Sequence, residues 1–240
     1  MPNATHSNQV LVSDLVKHPR NGSTELFLVR HGRTLANVNH LLVGATDYPL
    51  DDLGERQAHQ VARRFQTIPV DSVLTSPLQR AKTTAERIGA VTRRTPEIVP
   101  GLTEINFGAV EGLTIQQVVS QFPDLRPHLG DFENLELAWP GGDSRRGFAE
   151  RIMATFLGII DRFENQRVAV VCHGGVIGAF CAQVGVGPTD NAIRWAVSNC
   201  SITHLSVTPD HTRLELWNDV THLDEGQAEI VASSPTLLDD

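Results

Sequence analysis

The chain has 240 residues, of which 40% are hydrophobic and 20% charged, and its formal net charge is −8 at pH 7. A chain of this length buries enough surface to fold without disulfides or structural metals. The acidic balance and the 5% aromatic content argue against a nucleic-acid binder and against a protein that docks on anionic membranes. An anionic small molecule stays open as a ligand, provided that basic side chains gather in one pocket.

The three cysteines, Cys172, Cys181 and Cys200, form neither a CxxC pair nor a metal-ligand spacing. They are typical of buried thiols in a reducing compartment, so we predict a cytoplasmic protein. No apolar stretch has the roughly 18–20 residues of a membrane span, and the first residues lack the pattern of a signal peptide. We expect one domain over residues 25–223, a flexible polar extension over 1–24 and a tail over 224–240.

Short apolar runs that end at polar or glycine residues predict six strands. In chain order they are 25–29 (ELFLV), 70–75 (VDSVLT), 97–100 (EIVP), 167–172 (RVAVVC), 201–207 (SITHLSV) and 213–217 (RLELW). Four further segments predict helices, namely 54–66, 77–90, 144–163 and 174–185. Ser76 and Pro77 are suited to the N-cap and the first position of the second helix.

This alternation of strands and helices predicts an α/β fold, a three-layer α/β/α sandwich with a mainly parallel central sheet. The last two strands are joined by the turn Thr-Pro-Asp-His, and we expect them to form an antiparallel hairpin at one edge. Residues 105–143 break the alternation and are rich in Gly, Pro and amides. We interpret them as an inserted lid over one end of the sheet.

Five ionisable side chains follow the predicted strands, at the edge where ligands of open α/β sheets bind. They are Arg30 and His31 after the first strand, Arg80 after the second, Glu104 after the third and His173 after the fourth. A neutral imidazole can attack phosphorus, arginines can grip phosphoryl oxygens, and a carboxyl group can protonate a leaving alkoxide. Glycines at positions 32 and 174 let the backbone approach a phosphate closely. The set indicates phosphoryl transfer.

The same residues lie in a series of motifs that resembles the histidine phosphatase superfamily, also called the phosphoglycerate mutase-like family. In chain order the motifs are LFLVRHGRTLANVN (26–39), VGATDYPLDDLGERQA (43–58), LTSPLQRAKTTAE (74–86), LTEINFGAVEGLT (102–114), PGGDS (140–144), VVCHGGVI (170–177) and LWNDVTHL (216–223). The resemblance implies that His31 accepts the phosphoryl group and that Glu104 donates the proton. The other implied site residues are Arg30, Arg80 and His173 in the phosphate pocket, Asn37 as a further ligand, and Gly44 and Gly174 against the substrate.

Two positions depart from the family pattern. Arg33 stands where Glu or Gln is frequent, and it either draws a multiply anionic substrate or pairs with a nearby acid such as Asp47 or Asp51. The aromatic residue expected before Glu111 is missing, because residues 108–110 read Gly-Ala-Val. This second change would widen the pocket wall without touching a catalytic role.

Other interpretations of these residues are weaker. Ten histidines suggest a metal site, but no HxxxH or HxH spacing occurs, and neighbouring arginines would repel a cation. Cys172 and His173 suggest a nucleophilic pair, but adjacent strand residues point to opposite faces, which places Cys172 in the core. A non-catalytic phosphate-binding module would lack the nucleophile or the acid, and both are present. We therefore expect neither a metal nor a cofactor.

A phosphatase passes the phosphoryl group to water, whereas a mutase returns it to a substrate hydroxyl. By the resemblance, cofactor-dependent mutases carry a basic insertion that closes over a bisphosphate. Residues 105–143 hold one arginine, Arg126, and six acids, which are Glu111, Asp124, Asp131, Glu133, Glu136 and Asp143. Because such a segment repels a bisphosphate, we predict a phosphatase for small phosphorylated metabolites, with phosphoglycerate mutase-type transfer as the alternative. The sequence leaves a homodimer open.

Overall fold

The computed structural model describes residues 22–129, 134–188 and 197–224. The strands in these ranges are β1 (Thr24–Arg30), β2 (Ser72–Thr75), β3 (Glu97–Ile98), β4 (Arg167–Cys172), β5 (Ile202–Val207) and β6 (Thr212–Asp219). The helices are α1 (Leu35–Val38), α2 (Asp52–Arg64), α3 (Gln79–Thr92), α4 (Ile115–Gln121), α5 (Arg126–Leu129), α6 (Arg145–Arg162) and α7 (Gly174–Gln183).

The six strands form one mixed sheet in the order β3-β2-β4-β1-β5-β6. The first four strands of this order pair in parallel. Strand β5 runs antiparallel to β1, and β6 runs antiparallel to β5. The predicted α/β fold, with a parallel centre and an antiparallel hairpin at one edge, is therefore confirmed.

Alternate residues of the central strands pack against different helices, which gives the three layers. On β1, Leu26 and Leu28 join a cluster with residues of α6 and α7, whereas Phe27 and Val29 join a second cluster with residues of α2 and α3. On β4, Val170 and Cys172 belong to the first cluster and Val171 to the second. These strands are apolar at nearly every position because both faces of the sheet are covered.

The helices lie within two residues of their predicted ends, and polar side chains cap two of them. Asp51 accepts a hydrogen bond from the N–H of Gly54 at the start of α2, and Ser144 accepts one from Gly147 at the start of α6. The predicted strand over 97–100 ends earlier, at Ile98. Pro100 has no N–H for a ladder bond, and it begins a 3₁₀ turn that leads towards Glu104.

The expectation that Ser76 caps α3 is wrong. Leu78 occupies the N-cap position, and its side chain makes no capping hydrogen bond. Ser76 is the first residue after β2, and its hydroxyl contacts His173 across the sheet edge and accepts a 3.3 Å hydrogen bond from the N–H of Leu78. This serine therefore contacts both the neighbouring strand end and the backbone just ahead of α3.

The segment 105–143 is packed on the body of the protein over its described residues, 105–129 and 134–143. Its buried apolar side chains join the cluster of α6 and α7, and they are Ile105, Val110, Val118, Leu125, Leu129, Leu137 and Trp139. Leu42, which follows α1, exchanges backbone hydrogen bonds of 2.9 and 2.8 Å with Leu113 and Gly112. The proposed lid thus shares the main core.

The predicted extension and tail lie almost entirely outside the described residues. At their inner ends, β1 already begins at Thr24, and the Asp224 carboxylate accepts a 2.6 Å hydrogen bond from Gln60. No helix in the described parts of the chain combines the length and the apolar character needed to cross a membrane.

Candidate active site

The carboxyl ends of β1, β2 and β4 bring the predicted residues to one edge of the sheet. Arg30 and His31 stand at the end of β1, and His173 follows β4 directly. Arg80 lies in the first turn of α3, the helix after β2, and Glu104 follows the 3₁₀ turn after β3. All five side chains are buried, and none is more than 8% exposed.

A hydrogen bond to the backbone fixes which nitrogen of the His31 ring carries the proton. Its Nδ1 lies 2.7 Å from the carbonyl oxygen of Gly32, so Nδ1 carries the proton and donates. The lone pair is then on Nε2. Burial lowers the pKa of His31 well below its ordinary value of 6.5, and the positive charges of Arg80 and Arg30 lower it further. The neutral imidazole is therefore favoured at physiological pH, with Nε2 as the nitrogen able to act as a nucleophile.

The second histidine faces the first, with ring centroids 5.2 Å apart. Nε2 of His173 lies 2.8 Å from the hydroxyl of Ser76, and Nδ1 is buried with no hydrogen-bond partner among the described residues. Burial, Arg80 and His31 lower the pKa of His173 well below 6.5. A neutral ring that accepts from Ser76 through Nε2 has its proton on Nδ1, where it can donate to a bound group.

Both arginines of the pocket are anchored to backbone carbonyls. Arg80 donates from Nη1 to the carbonyl of Thr46 and from Nη2 to that of Gly44, each over 2.8 Å. Arg30 donates to the carbonyl of Val197. Burial lowers the pKa of Arg30 to about 10, which still leaves the guanidinium charged at neutral pH. Carbonyl partners fix the orientation of these cations without neutralising their charge.

The loop that carries Gly44 is held in turn by Glu111. The carboxylate accepts 2.8 Å hydrogen bonds from the N–H groups of Ala45 and Thr46, and a 3.0 Å bond from Phe107. A Cβ atom on Gly44 would lie 1.9 Å from the carbonyl oxygen of Ile105, so only glycine allows the loop to come this close.

The Glu104 carboxyl group is bound by two backbone donors. Ile105 N–H donates to Oε1 and Gly175 N–H donates to Oε2, both at 2.9 Å. Burial raises the pKa of Glu104 above its ordinary value of 4.5, although these bonds and the charges of Arg80 and Arg30 act in the opposite direction. The group is thus biased towards the protonated form that a general acid requires.

Asn37 lies in α1, and Gly174 lies at the start of α7. Asn37 Oδ1 accepts from the N–H of Thr34 at 3.1 Å and closes a capping box at α1, which leaves the amide NH₂ as the group able to donate to a phosphate. Gly174 is the buried first residue of α7, next to His173. Asn199 joins the two sides of the site, since its Nδ2 lies 2.9 Å from the His31 carbonyl and 3.5 Å from Asn37 Oδ1.

The open questions about Arg33 and Cys172 have structural answers. Arg33 Nε lies 2.8 Å from Asp51 Oδ2, which is the ion pair with a nearby acid that the sequence offered as one interpretation. Cys172 is fully buried among apolar side chains, as predicted, and burial raises the pKa of its thiol and so disfavours the thiolate. Across the described residues, no three His, Cys, Asp or Glu side chains converge to hold a metal ion.

Sequence reasoning missed four residues of the site. Ser76 was assigned to a helix cap, and Asn199 lies far from every quoted motif. Gly175 is the second glycine of a pair of which only Gly174 was selected, yet a Cβ at position 175 would lie 2.4 Å from Glu104 Oε1. Arg151 contacts the backbone around Glu104 from the middle of α6. The HGG sequence was a usable signal for Gly175, whereas Arg151 and Asn199 had none.

The chain is similar in sequence to a known superfamily and to individual proteins. The sequence profile of the histidine phosphatase superfamily (branch 1) matches residues 26–220. A probable phosphoglycerate mutase, GpmB of Erwinia tasmaniensis, is 29% identical over 84% of this chain and 95% of its own length. An uncharacterised phosphatase of Bacillus subtilis, PhoE, is 27% identical over 83% of this chain and 97% of its own.

A solved structure shares both the fold and the extent of the chain. The phosphoserine phosphatase of Entamoeba histolytica in complex with phosphoserine superposes with a TM-score of 0.73 at 27% identity. The superposition covers 83% of this chain and 99% of the other. With the profile match over most of its length and this pocket at the sheet edge, the chain belongs to branch 1 of the histidine phosphatase superfamily.

Proposed function

We propose that this chain is a phosphatase that hydrolyses small phosphomonoesters through a covalent phosphohistidine on His31. The observation that carries the proposal is the pair of opposite pKa shifts in one pocket. Burial lowers the pKa of His31 and raises that of Glu104, so that it favours a neutral nucleophile and a protonated acid beside two charged arginines. Pairs of groups whose pKa values are driven apart mark the base and the acid of an active site.

In the first step, Nε2 of His31 attacks phosphorus while the bond from phosphorus to the ester oxygen breaks. Glu104 transfers its proton to that oxygen, and the alcohol leaves. Arg30 and Arg80 hold the phosphoryl oxygens, whose charge they stabilise, and the Nδ1–H of His173 donates to the same group. This leaves a phosphoryl group on His31 and an ionised Glu104.

In the second step, water attacks the phosphohistidine. The Glu104 carboxylate takes a proton from the water as the bond from phosphorus to Nε2 breaks. Inorganic phosphate leaves, and His31 and Glu104 return to their starting protonation states, so the cycle balances as ester plus water giving alcohol plus phosphate. The same residue therefore serves as acid and then as base. No proton acceptor beyond those in the pocket is required.

The composition of segment 105–143 supports hydrolysis over phosphoryl transfer to a second substrate. The acids of the segment contribute less to this support than their number in the sequence suggests. Glu111 is committed to backbone N–H groups, Asp143 pairs with Arg151, and Glu136 pairs with Arg146. Three of the six acids are thus compensated locally and contribute little repulsion. The support that remains is the single arginine of the segment, Arg126, which offers little to retain a bisphosphate.

A mutase is the second candidate, because the Erwinia tasmaniensis relative is named a probable phosphoglycerate mutase. The test is to supply a panel of phosphorylated metabolites, among them phosphoserine and 3-phosphoglycerate, and to measure released phosphate. A parallel assay follows conversion of 3-phosphoglycerate to 2-phosphoglycerate with and without 2,3-bisphosphoglycerate. Phosphate release that exceeds isomerisation is the result expected. Isomerisation that requires the bisphosphate and outpaces release would overturn the phosphatase proposal.

A further inference from the structure

The chain around Glu104 has little regular structure of its own. It leaves the 3₁₀ turn Pro100–Leu102 and continues without helix or strand to the next 3₁₀ turn, Gly108–Val110. No ladder of backbone hydrogen bonds therefore sets the position of the carboxyl group. Residues outside the segment must therefore hold the carboxyl group in place, because a general acid displaced by about 1 Å loses much of its rate enhancement.

Arg151, in the middle of α6, contacts this segment at three backbone carbonyls. Its Nη1 donates to the carbonyl oxygens of Gly101 at 3.0 Å and Thr103 at 2.6 Å. Its Nη2 donates to the backbone carbonyl of Glu104 itself at 3.4 Å. A planar guanidinium can make such a set of bonds at once, whereas a lysine ammonium is a single point charge.

Asp143 extends this contact to the other side of Glu104. Its Oδ2 lies 3.2 Å from Nη2 of Arg151 and accepts a 3.0 Å hydrogen bond from the N–H of Asn106. The backbone of Asp143 also donates to the carbonyl of Asn106 at 2.8 Å. The ion pair thus binds the chain on both sides of Glu104, and α6 anchors it.

We infer that the Arg151–Asp143 ion pair is a positioning device that holds Glu104 against Gly175 for proton transfer, an inference that rests on the proposed acid role of Glu104. Arg151 touches main-chain oxygens and not the Glu104 carboxyl group, so it acts through the backbone. Because the two side chains of the pair are about one third exposed, their Coulomb attraction stabilises the fold only modestly, and their main effect is to fix the position of the backbone around Glu104.

The test uses Arg151→Gln and Asp143→Asn, assayed on an alkyl phosphate and on p-nitrophenyl phosphate. An alkoxide leaves only with protonation, whereas p-nitrophenolate needs little. We expect kcat on the alkyl ester to fall roughly 10- to 100-fold and kcat on the aryl ester to fall less than about threefold. Arg151→Lys should lie between wild type and Arg151→Gln on the alkyl ester.

The pH profile supplies a second readout. The charged and titratable groups that face Glu104 are Arg30 of β1, Arg80 of α3 and Cys172 of β4. None of them is altered in these variants, and the Arg151 charge, which lowers the pKa of His173, affects the acid limb of the profile. If the carboxyl group becomes less buried, its pKa falls towards 4.5, and the alkaline limb of the activity profile should move to lower pH.

A matched control is Arg162→Gln on the same helix. Arg162 pairs with Glu97 at the surface and has no contact with the Glu104 segment. This variant loses an ion pair from α6, and it should keep both activities and the alkaline limb. Thermal melting of every variant separates misfolding from mispositioning, and Asp143→Asn keeps the test open if Arg151→Gln does not fold.

Comparison of Arg151→Gln with Glu104→Gln, and with the double variant, distinguishes a failure of the proposed acid role from a failure of the positioning role. If Glu104→Gln alone shows no leaving-group dependence, the proposed acid role is wrong, and this inference falls with it. If Glu104→Gln shows it but Arg151→Gln slows both esters equally, the acid role stands and the positioning role is refuted. The expected result is that adding Arg151→Gln to Glu104→Gln lowers the alkyl rate no further.

Discussion

The side of the pocket that holds the proposed nucleophile, His31, and the side that holds the proposed acid, Glu104, are built by different means; we call them the nucleophile side and the acid side. Arg30, His31 and His173 extend from the ends of β1 and β4, two central strands in continuous parallel register. Glu104 lies in irregular chain that is held by Arg151, Asp143 and the N-terminus of α7. Strand pairing spreads the positioning over many backbone bonds, whereas the acid depends on a few side chains. The acid side is therefore the part that single substitutions can disturb.

Burial shifts the pKa values on the two sides in opposite directions. It lowers the pKa of the two histidines and raises that of Glu104, and in each case it favours the neutral form of the group. Arg30 and Arg80 supply positive charge to the pocket, which favours binding of a phosphate dianion.

The largest effect is expected from removing the nucleophile. His31→Ala should lose at least about 10³-fold in phosphate release, since the covalent route needs that nitrogen. Acid-labile, base-stable labelling by a phosphorylated substrate should also disappear. His211→Ala, at an exposed turn residue, is the control and should keep full activity. Turnover of His31→Ala within tenfold of wild type would refute the covalent mechanism.

The second largest effect concerns the acid side. Glu104→Gln should slow hydrolysis of alkyl phosphates by roughly 10²–10⁴-fold and that of p-nitrophenyl phosphate much less. The wild-type profile should be bell-shaped with an optimum on the acid side of neutrality, and the variant should lose the alkaline limb. Equal losses on both substrates would assign Glu104 to binding or to water activation instead.

The opposite pKa shifts also predict how stability depends on pH. Unfolded histidines bind protons below 6.5, whereas folded His31 and His173 do not until lower pH, so stability should fall as the pH drops below 6.5. The slope is about 1.4 kcal/mol per pH unit for each histidine in that window. Glu104 has the opposite effect on stability. Because its pKa is raised in the folded state, the folded protein keeps this proton above pH 4.5 while the unfolded chain loses it, so this contribution to stability falls as the pH rises.

Urea unfolding between roughly pH 5 and pH 7.5 measures this dependence. His31→Asn should flatten the acid loss of stability, and Glu104→Gln should steepen it. The same slope in all three proteins would show that these groups are not shifted in the folded state.

A smaller effect is expected at Ser76. Ser76→Ala removes one hydrogen bond to His173, worth about 0.5–1.5 kcal/mol, so kcat should fall by about tenfold at most with little change in KM. Ser206→Ala loses a hydroxyl bond to Glu25, at the opposite end of β1 from His31, and should leave kcat unchanged. An unaltered kcat in Ser76→Ala would mean that the sheet alone orients His173.

No effect is expected from metal removal. The buried arginines and histidines supply the positive charge and the hydrogen bonds that a cation would provide. Dialysis against EDTA should leave phosphate release unchanged. Loss of activity that Mg²⁺ or Zn²⁺ restores would overturn the metal-independent mechanism.

The nucleophile side could be predicted from the sequence and most of the acid side could not. Apolar runs that end at Arg30 and His173 locate two strand ends, and parallel strands end at one edge. Glu104 was found by its place after a predicted strand, but its supports come from distant parts of the chain. Arg151 looks like any polar residue on an amphipathic helix, because its partners are carbonyls that carry no sequence signal.

The central place of β1 in the sheet has a consequence for biosynthesis. Leu26 pairs with Val168 on one side and with Leu205 on the other, and both partners are translated long after it. The strand that ends at the nucleophile therefore leaves the ribosome with both apolar faces and both edges uncovered. Such late, non-local pairing folds slowly and leaves the nascent chain exposed to aggregation. Truncated products that end before β4 would have no pocket, so premature termination should yield inactive, aggregation-prone fragments.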